Sequence, residues 1–277
     1  MKTLSVLPCV LLASVPLAQS ARPLLFENSG IRFDDDPRGV AVVDLDGNGL
    51  PDLAVAELSP AGLCVRLQLQ VGFFTDPELY GAGVGYEGVD AADLDGDGDQ
   101  DPVAVESEAA GDLLVLRNDG DGTFQVQSLV ALGGQASAVR AVDLDADGAV
   151  DVLVTLEDTG ELLVFPGLGD GTLDVAARHA VVVQVNDLDV GDVDGDGNPD
   201  VVLSASFSAN VCVLINADVG FFEETRYFKT ESPDDVAIAD TDLDGLPDVA
   251  VLTNGGIFWN AETLVVALEN LLLDSRL

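Results

Sequence analysis

A nine-residue pattern of alternating aspartates recurs along this chain at a nearly constant interval, and it restricts the fold more than any other feature. It reads DLDGNGLPD from Asp44, DLDGDGDQD from Asp93, DLDADGAVD from Asp143, DVDGDGNPD from Asp192 and DTDLDGLPD from Asp240. Successive starts lie 49, 50, 49 and 48 residues apart. Self-similarity at such a period marks a repeat architecture, in which each unit buries its apolar face against its neighbours.

The flanking sequence says what each unit is. An apolar, β-branched run precedes the pattern, as in Val40 to Val43, Val139 to Val142 and Val236 to Ala239, and another follows at Leu53 to Val55, Val152 to Val154, Val201 to Leu203 and Val249 to Val251. Short apolar runs bounded by Gly, Pro and Asp read as buried strands. A third run ends on a polar or Gly residue: Cys64 to Gln68, Leu114 to Asn118, Leu163 to Gly167, Cys212 to Asn216 and Val266 to Asn270. A turn then leads to a more polar fourth strand, as at Gly72-Phe73-Phe74, Gly122-Thr123-Phe124 and Gly220-Phe221-Phe222. Four strands per unit of about fifty residues predict an all-β fold, a β-propeller of four-stranded blades. Leu24 to Asn28 and Ser29 to Phe33 repeat the third- and fourth-strand pattern of Val213 to Phe222, while the fifth unit runs out near Asn270. An N-terminal strand completing the last blade would therefore close a five-bladed ring. The alternative is an open array from a larger propeller, because Leu24 to Asn28 is redundant in a closed ring of five.

Aspartates at positions one, three and five, with Gly at six, suit a calcium loop: carboxylate oxygens converge, Gly permits the sharp turn, and position seven offers its carbonyl. Neither His nor Cys accompanies them, which argues against zinc. The ninth residue is again Asp and a strand follows at once, unlike the helical loop with Glu at twelve. Asp and Gly also dominate ordinary turns, but a turn needs one or two Asp rather than four carboxylates that repel without a cation.

This combination resembles the FG-GAP (VCBS) repeat, a calcium-binding blade found in the integrin alpha-chain propeller and in many exported bacterial proteins. The resemblance implies about five calcium sites. The first would use Asp44, Asp46, Asn48, the carbonyl of Leu50, and Asp52. Asp93, Asp95, Asp97, the carbonyl of Asp99, and Asp101 would form the second. The third takes Asp143, Asp145, Asp147, the carbonyl of Ala149, and Asp151, and the fourth Asp192, Asp194, Asp196, the carbonyl of Asn198, and Asp200. In the fifth the ligands are Asp240, Asp242, Asp244, the carbonyl of Leu246, and Asp248. Asn48 stands where the other loops carry Asp, so the first loop should bind more weakly.

Composition narrows the partners. With 50 acidic and 11 basic residues the net charge is -39, which excludes a phosphate-binding nucleic-acid surface and an acidic membrane leaflet. The 48% apolar content is too high for a disordered chain. Lys2, the apolar run from Leu4 to Ala18 and the small residues Ala18, Ser20 and Ala21 predict a secretory signal over residues 1–21, leaving the propeller at residues 22–277 with no membrane span in the mature chain. Of the cysteines, Cys9 falls in the signal, and Cys64 and Cys212 take equivalent places in blades one and four. Those blades are not adjacent in a ring of five, so both are expected to be buried free thiols.

No catalytic constellation is legible. His179 is the only histidine and reads as a solvated strand position. Lys229 is the sole lysine after the signal, and no serine sits in a nucleophile elbow. Three residues before each loop stand Ala41, Asp90, Arg140, Asp189 and Ala237, which places an Arg between two Asp on successive innermost strands. A structural pairing that satisfies Arg140 near the axis is expected. Aromatics are irregular: Tyr80 and Tyr86 flank one blade connection, and Phe258-Trp259 are expected in a long loop of the fifth unit. Two function classes follow. One is a secreted, non-catalytic calcium-binding module for extracellular interaction or adhesion, with a protein or glycan ligand at the cell surface. The other is a carbohydrate-binding or polysaccharide-processing propeller.

Overall fold

The structure, a computed structural model, describes residues 36–259 apart from 60, 182–183, 219–220, 231, 242–246 and 254–255. Every regular element in them is a strand, and no helix long and apolar enough to cross a membrane occurs among them. In the first blade β1 (Pro37–Val43), β2 (Asp52–Leu58) and β3 (Ala61–Arg66) are followed by a small hairpin, β4 (Gln68–Gln70) and β5 (Phe73–Phe74), and then by the outer strand β6 (Glu78–Tyr80). The second blade comprises β7 (Tyr86–Ala92), β8 (Asp101–Glu106), β9 (Asp112–Asn118) and β10 (Phe124–Ala131). The third is β11 (Ala136–Val142), β12 (Asp151–Leu156), β13 (Glu161–Phe165) and β14 (Ala177–Ala180). The fourth is β15 (Asp187–Gly191), β16 (Asp200–Ala205), β17 (Asn210–Asp218) and β18 (Phe221–Lys229). The fifth contributes β19 (Pro233–Ala239), β20 (Asp248–Thr253) and β21 (Gly256–Trp259). Each blade sheet is an antiparallel meander, four-stranded in the first four blades, and three strands of the fifth lie among the described residues.

Blades stack face against face. Along β8, Val103 and Val105 pack toward the third blade and Ala104 toward the first; along β9, Leu113 and Val115 face one way, Leu114 and Leu116 the other. β12, β13, β16 and β17 alternate in the same manner, which yields four apolar layers, one at each border between successive blades. Successive side chains on a strand point to opposite faces, and here both faces are covered. This is why the central strands read as unbroken apolar runs instead of alternating ones. The innermost strands follow one another as β1, β7, β11, β15 and β19, and no contact of comparable extent joins β19 to β1 among the described residues.

Several expectations need correction. In the first blade Phe73 and Phe74 belong to the β4–β5 hairpin, and the fourth strand is Glu78–Tyr80, since β3 pairs with β6 through Leu63↔Tyr80 and Val65↔Glu78. In the fifth blade the third strand is Gly256–Trp259, paired as Thr253↔Gly256 and Ala250↔Trp259, so Phe258 and Trp259 lie on a strand and not in a long loop. The apolar run next to β20 wins over Val266 to Asn270, which lies outside the described residues, as do the signal segment and Leu24 to Phe33. Cys64 and Cys212 are buried thiols outside any disulfide, as expected.

Candidate metal centre

The Asp-rich loops all connect an innermost strand to the second strand of its blade. Their shape follows from two left-handed backbone positions. Gly49, Gly98, Gly148 and Gly197 at position six have φ between +83° and +100°. Position four is left-handed as well, occupied by Gly47, Gly96 and Gly195 but by Ala146 (φ 59°) in the third loop. A residue with Cβ disfavours this region. The second residue anchors the loop: Leu45, Leu94, Leu144 and Val193 are buried.

Each carboxylate has a distinct task. Position one turns Oδ2 toward the N–H of position six, with Gly49, Gly98, Gly148 and Gly197 donating to Asp44, Asp93, Asp143 and Asp192 at 2.7, 3.0, 3.0 and 2.9 Å. Position three accepts the N–H of position five, as Asn48 to Asp46 at 3.1 Å and Asp147 to Asp145 at 3.1 Å. Position five accepts the N–H of position seven: Leu50 to Asn48, Asp99 to Asp97, Ala149 to Asp147 and Asn198 to Asp196 at 2.7 to 3.0 Å. Position nine is buried and grips backbone with both oxygens. Leu45, Leu94, Leu144 and Val193 donate to one oxygen of Asp52, Asp101, Asp151 and Asp200 at 2.7 to 3.0 Å. Gln68, Asn118, Gly167 and Asn216, at or just past the ends of third strands, donate their N–H to the other at 2.5 to 2.8 Å.

Positions one, three and nine converge. Asp44, Asp46 and Asp52 can bring one oxygen each within 4.8 Å of one another, and so can Asp93, Asp95 and Asp101, Asp143, Asp145 and Asp151, and Asp192, Asp194 and Asp200. The position-five aspartates Asp97, Asp147 and Asp196 stand outside these triads, and Asn48 takes their place in the first loop. Leu50, Asp99, Ala149 and Asn198 have N–H groups bound to that position-five side chain, which sets the peptide but brings no further carboxylate into the triad. Of the fifth loop, Asp240 and Asp248 are described, with the N–H and the hydroxyl of Thr241 donating to the buried Asp248; Asp242, Asp244 and Leu246 lie outside the described residues.

The donor set fits a hard cation. Asp44 Oδ1 and Asp143 Oδ1 are buried oxygens with no hydrogen-bond partner, each within a triad. A buried acceptor of this kind costs free energy unless something positive meets it. Burial also pushes the carboxyls of Asp101 and Asp200 up to about 6, with neighbouring loop carboxylates adding to the rise and the two backbone N–H bonds opposing it. Asp52 and Asp151 are raised for the same first reason.

Two side chains missed from sequence complete the loops. Asn118 Nδ2 donates to the carbonyl of Leu45 in the preceding blade at 2.8 Å, and Asn216 Nδ2 to that of Leu144 at 2.8 Å. The signal was the recurrent polar or Gly residue at the end of the third run, which periodicity could place but not interpret. Elsewhere, Arg140 Nε lies 3.5 Å from Asp189 and its Nη2 3.8 Å from Asp187, while Asp90 accepts the N–H of Ala141. His179 is half-buried, edge-on to Phe222 at 5.1 Å, and burial lowers its pKa; it is not the solvated residue expected.

Comparison with known proteins agrees with this geometry. Four overlapping stretches, residues 44–104, 93–154, 143–203 and 192–251, match FG-GAP-like repeats. No curated protein sequence matches the chain significantly. Among solved structures, a lectin from Agrocybe aegerita that recognises non-reducing terminal N-acetylglucosamine is similar with a TM-score of 0.57 and 23% identity, over 79% of this chain and 62% of the lectin. BBS1N, solved in complex with ARL6DN, is similar with a TM-score of 0.51 and 14% identity, over 77% of this chain and 61% of that one. The chain thus spans about three fifths of these two structures, and at such identities the likeness is one of fold. With repeat matches running from residue 44 to residue 251, the chain belongs to the FG-GAP-like repeat family of β-propellers.

Proposed function

We propose that this protein is a secreted, non-catalytic β-propeller whose Asp-rich loops bind calcium, and that it serves as an extracellular interaction or adhesion module. The observation that carries the calcium reading is the repeated triad at positions one, three and nine, with buried unpartnered oxygens on Asp44 and Asp143. Hard carboxylate and carbonyl oxygens in a flexible loop select calcium over the nitrogen- and sulfur-seeking metals. Extracellular modules hold calcium with dissociation constants of about 10⁻⁴ to 10⁻³ M, so the sites would fill outside the cell and serve structure. Export is supported by Lys2 and the apolar run from Leu4 to Ala18. Twenty of the 50 acidic residues belong to the five loops, so a strongly acidic surface remains after calcium binds. That surface suits basic or neutral partners. Calorimetric titration with calcium and magnesium, after EDTA treatment and dialysis, tests the reading. Calcium-selective binding supports it; a flat isotherm with folded protein refutes it.

The second reading is carbohydrate recognition or processing. What favours it is that the Agrocybe aegerita lectin carries a sugar site on the same fold. A glycan array probed in calcium and in EDTA separates the two. Calcium-dependent binding to a defined glycan class moves the assignment to a lectin, whereas a blank array with folded protein favours a protein partner.

A further inference from the structure

The position-nine aspartates also link one loop to the next. From the first loop, Leu45 donates its N–H to Asp52 at 2.7 Å, its carbonyl accepts Asn118 Nδ2 at 2.8 Å, and the Asn118 N–H donates to Asp101 of the second loop at 2.7 Å. All four residues are buried. The Asn118 amide makes a second bond, to the carbonyl of Gln100 at 3.0 Å, and so uses both its protons. The same relay joins the third loop to the fourth. Leu144 donates to Asp151 at 2.9 Å, its carbonyl accepts Asn216 Nδ2 at 2.8 Å, and the Asn216 N–H donates to Asp200 at 2.8 Å. Pro199 takes the remaining amide bond at 3.1 Å.

Between the second and third loops the relay is interrupted. The residue equivalent to the asparagines is Gly167, whose N–H still reaches Asp151 at 2.8 Å but which has no side chain to send back. A Cβ there would lie 2.1 Å from the carbonyl oxygen of Val150, so this border cannot accept an asparagine without backbone movement. The Leu94 carbonyl is satisfied instead by the N–H of Gly171, in the turn beyond β13, at 3.0 Å.

We infer that the four described loops load calcium as two coupled pairs, the first with the second and the third with the fourth, and that Asn118 and Asn216 are the positioning residues that couple them. The inference rests on the calcium reading above. An ion on Asp52 fixes that carboxylate and with it the Leu45 peptide. The oriented carbonyl holds the Asn118 amide, and its N–H presents Asp101 in the pose a second ion requires. Ordering met by the first ion is not paid again by the second, and the effect is reciprocal. Loop two meets loop three through Gly167, where no side chain carries the constraint.

The test is a calcium titration of the full chain followed by amide NMR. The N–H groups of Gly49, Gly98, Gly148 and Gly197 each bond to the first aspartate of their own loop and so report one site apiece. Asp44→Asn should raise the midpoint at Gly98 about fivefold, within the usual range of allosteric coupling, and leave Gly148 and Gly197 unchanged. Asp143→Asn should do the same at Gly197 and spare Gly98. In an Asn118→Ala background, Asp44→Asn should no longer reach Gly98. The coupling is overturned if Asp44→Asn leaves Gly98 unmoved, or if Asp93→Asn shifts Gly148 as much as Gly49. Should Asn118→Ala fail to fold, the contrast between those two borders in chains that keep the asparagine decides the matter. Glycine amides that respond to calcium with independent midpoints remove the coupling alone; amides that do not respond at all remove the calcium reading with it.

Discussion

Replacing Asp101 with alanine in calcium-free buffer isolates what a position-nine aspartate contributes without an ion. Asp101 is buried and accepts the N–H of Leu94 at 3.0 Å and of Asn118 at 2.7 Å. Alanine leaves both donors without a partner in a space that excludes water, and each such group costs about 1–3 kcal/mol. Removing a carboxyl that burial pushes up to about 6 offsets part of this at pH 7, because the ionised form no longer has to be held. A net loss of about 2–4 kcal/mol is expected. Asp97 in the same loop is the control. It is exposed and accepts the N–H of Asp99 at 3.0 Å at the surface, so Asp97→Ala should cost about 0.5 kcal/mol or less. Urea unfolding in EDTA reads the difference. With a slope near 3 kcal/mol/M, the Asp101→Ala midpoint should fall by about 1 M and that of Asp97→Ala by less than about 0.2 M. Equal shifts for the two variants would refute the division of labour, since the two buried backbone bonds of Asp101 would then contribute no more to the metal-free fold than the exposed bond of Asp97.

Three further outcomes follow from the loops. Ala146 holds a left-handed φ of 59° where the other described loops have glycine, so Ala146→Gly should stabilise the protein by about 1 kcal/mol in thermal melts. At Gly167, where a Cβ would meet the Val150 carbonyl oxygen at 2.1 Å, Gly167→Ala should cost about 3 kcal/mol in urea unfolding; an unchanged midpoint would refute that close approach. The pH response in EDTA has a definite sign. Asp101 and Asp200 have carboxyls raised to about 6, above the usual unfolded value, so their protonated forms favour the fold. That contribution is fully present below about pH 4 and is lost as pH rises through about 6. The urea midpoint should therefore drop from pH 4.5 to 7 in EDTA, and the drop should disappear in millimolar calcium. A midpoint that climbs with pH in EDTA would contradict the burial of these two groups.

The period of the Asp pattern made the blade count of the described region and the inner two strands of each blade legible, because strand, loop and strand are contiguous and repeat in every unit. The outer strands were harder. Phe73-Phe74 and Gly122-Thr123-Phe124 look alike in sequence, yet the former forms a separate hairpin with Gln68–Gln70 while Phe124 opens β10. An outer strand has only one neighbour to pair with, so its register answers to the length of the turn and not to a repeated apolar face. The aspartates that converge at positions one, three and nine were legible for the same reason as the inner strands. The double backbone grip of Asp52, Asp101, Asp151 and Asp200 was not, since its partners Gln68, Asn118, Gly167 and Asn216 stand 16 or 17 residues away and are not all of one residue type.

The charges near the axis follow from the same geometry. An innermost strand pairs on one side only, with the second strand of its blade, and its other edge presents N–H groups that need acceptors. Asp90 supplies one to Ala141 of the next blade at 2.9 Å, Asp189 one to Ile238 at 2.7 Å, and Asp187 one to Val236 at 3.3 Å. The acids are thus placed by backbone that would otherwise go unbonded. They bring a second cost, because burial pushes Asp187 and Asp90 up and neighbouring carboxylates, Asp235 beside Asp187 and Asp189 beside Asp90, push them further. Arg140 sits on the strand between them, facing Asp187 and Asp189 and lowering Asp90 by its charge. Asp90 and Asp189 stand on the innermost strands of the two blades either side, at the same place in the repeat as Arg140, where the first and fifth units carry Ala41 and Ala237. The arginine is therefore needed as a consequence of the edge-capping acids, and a ligand need not be invoked to explain it.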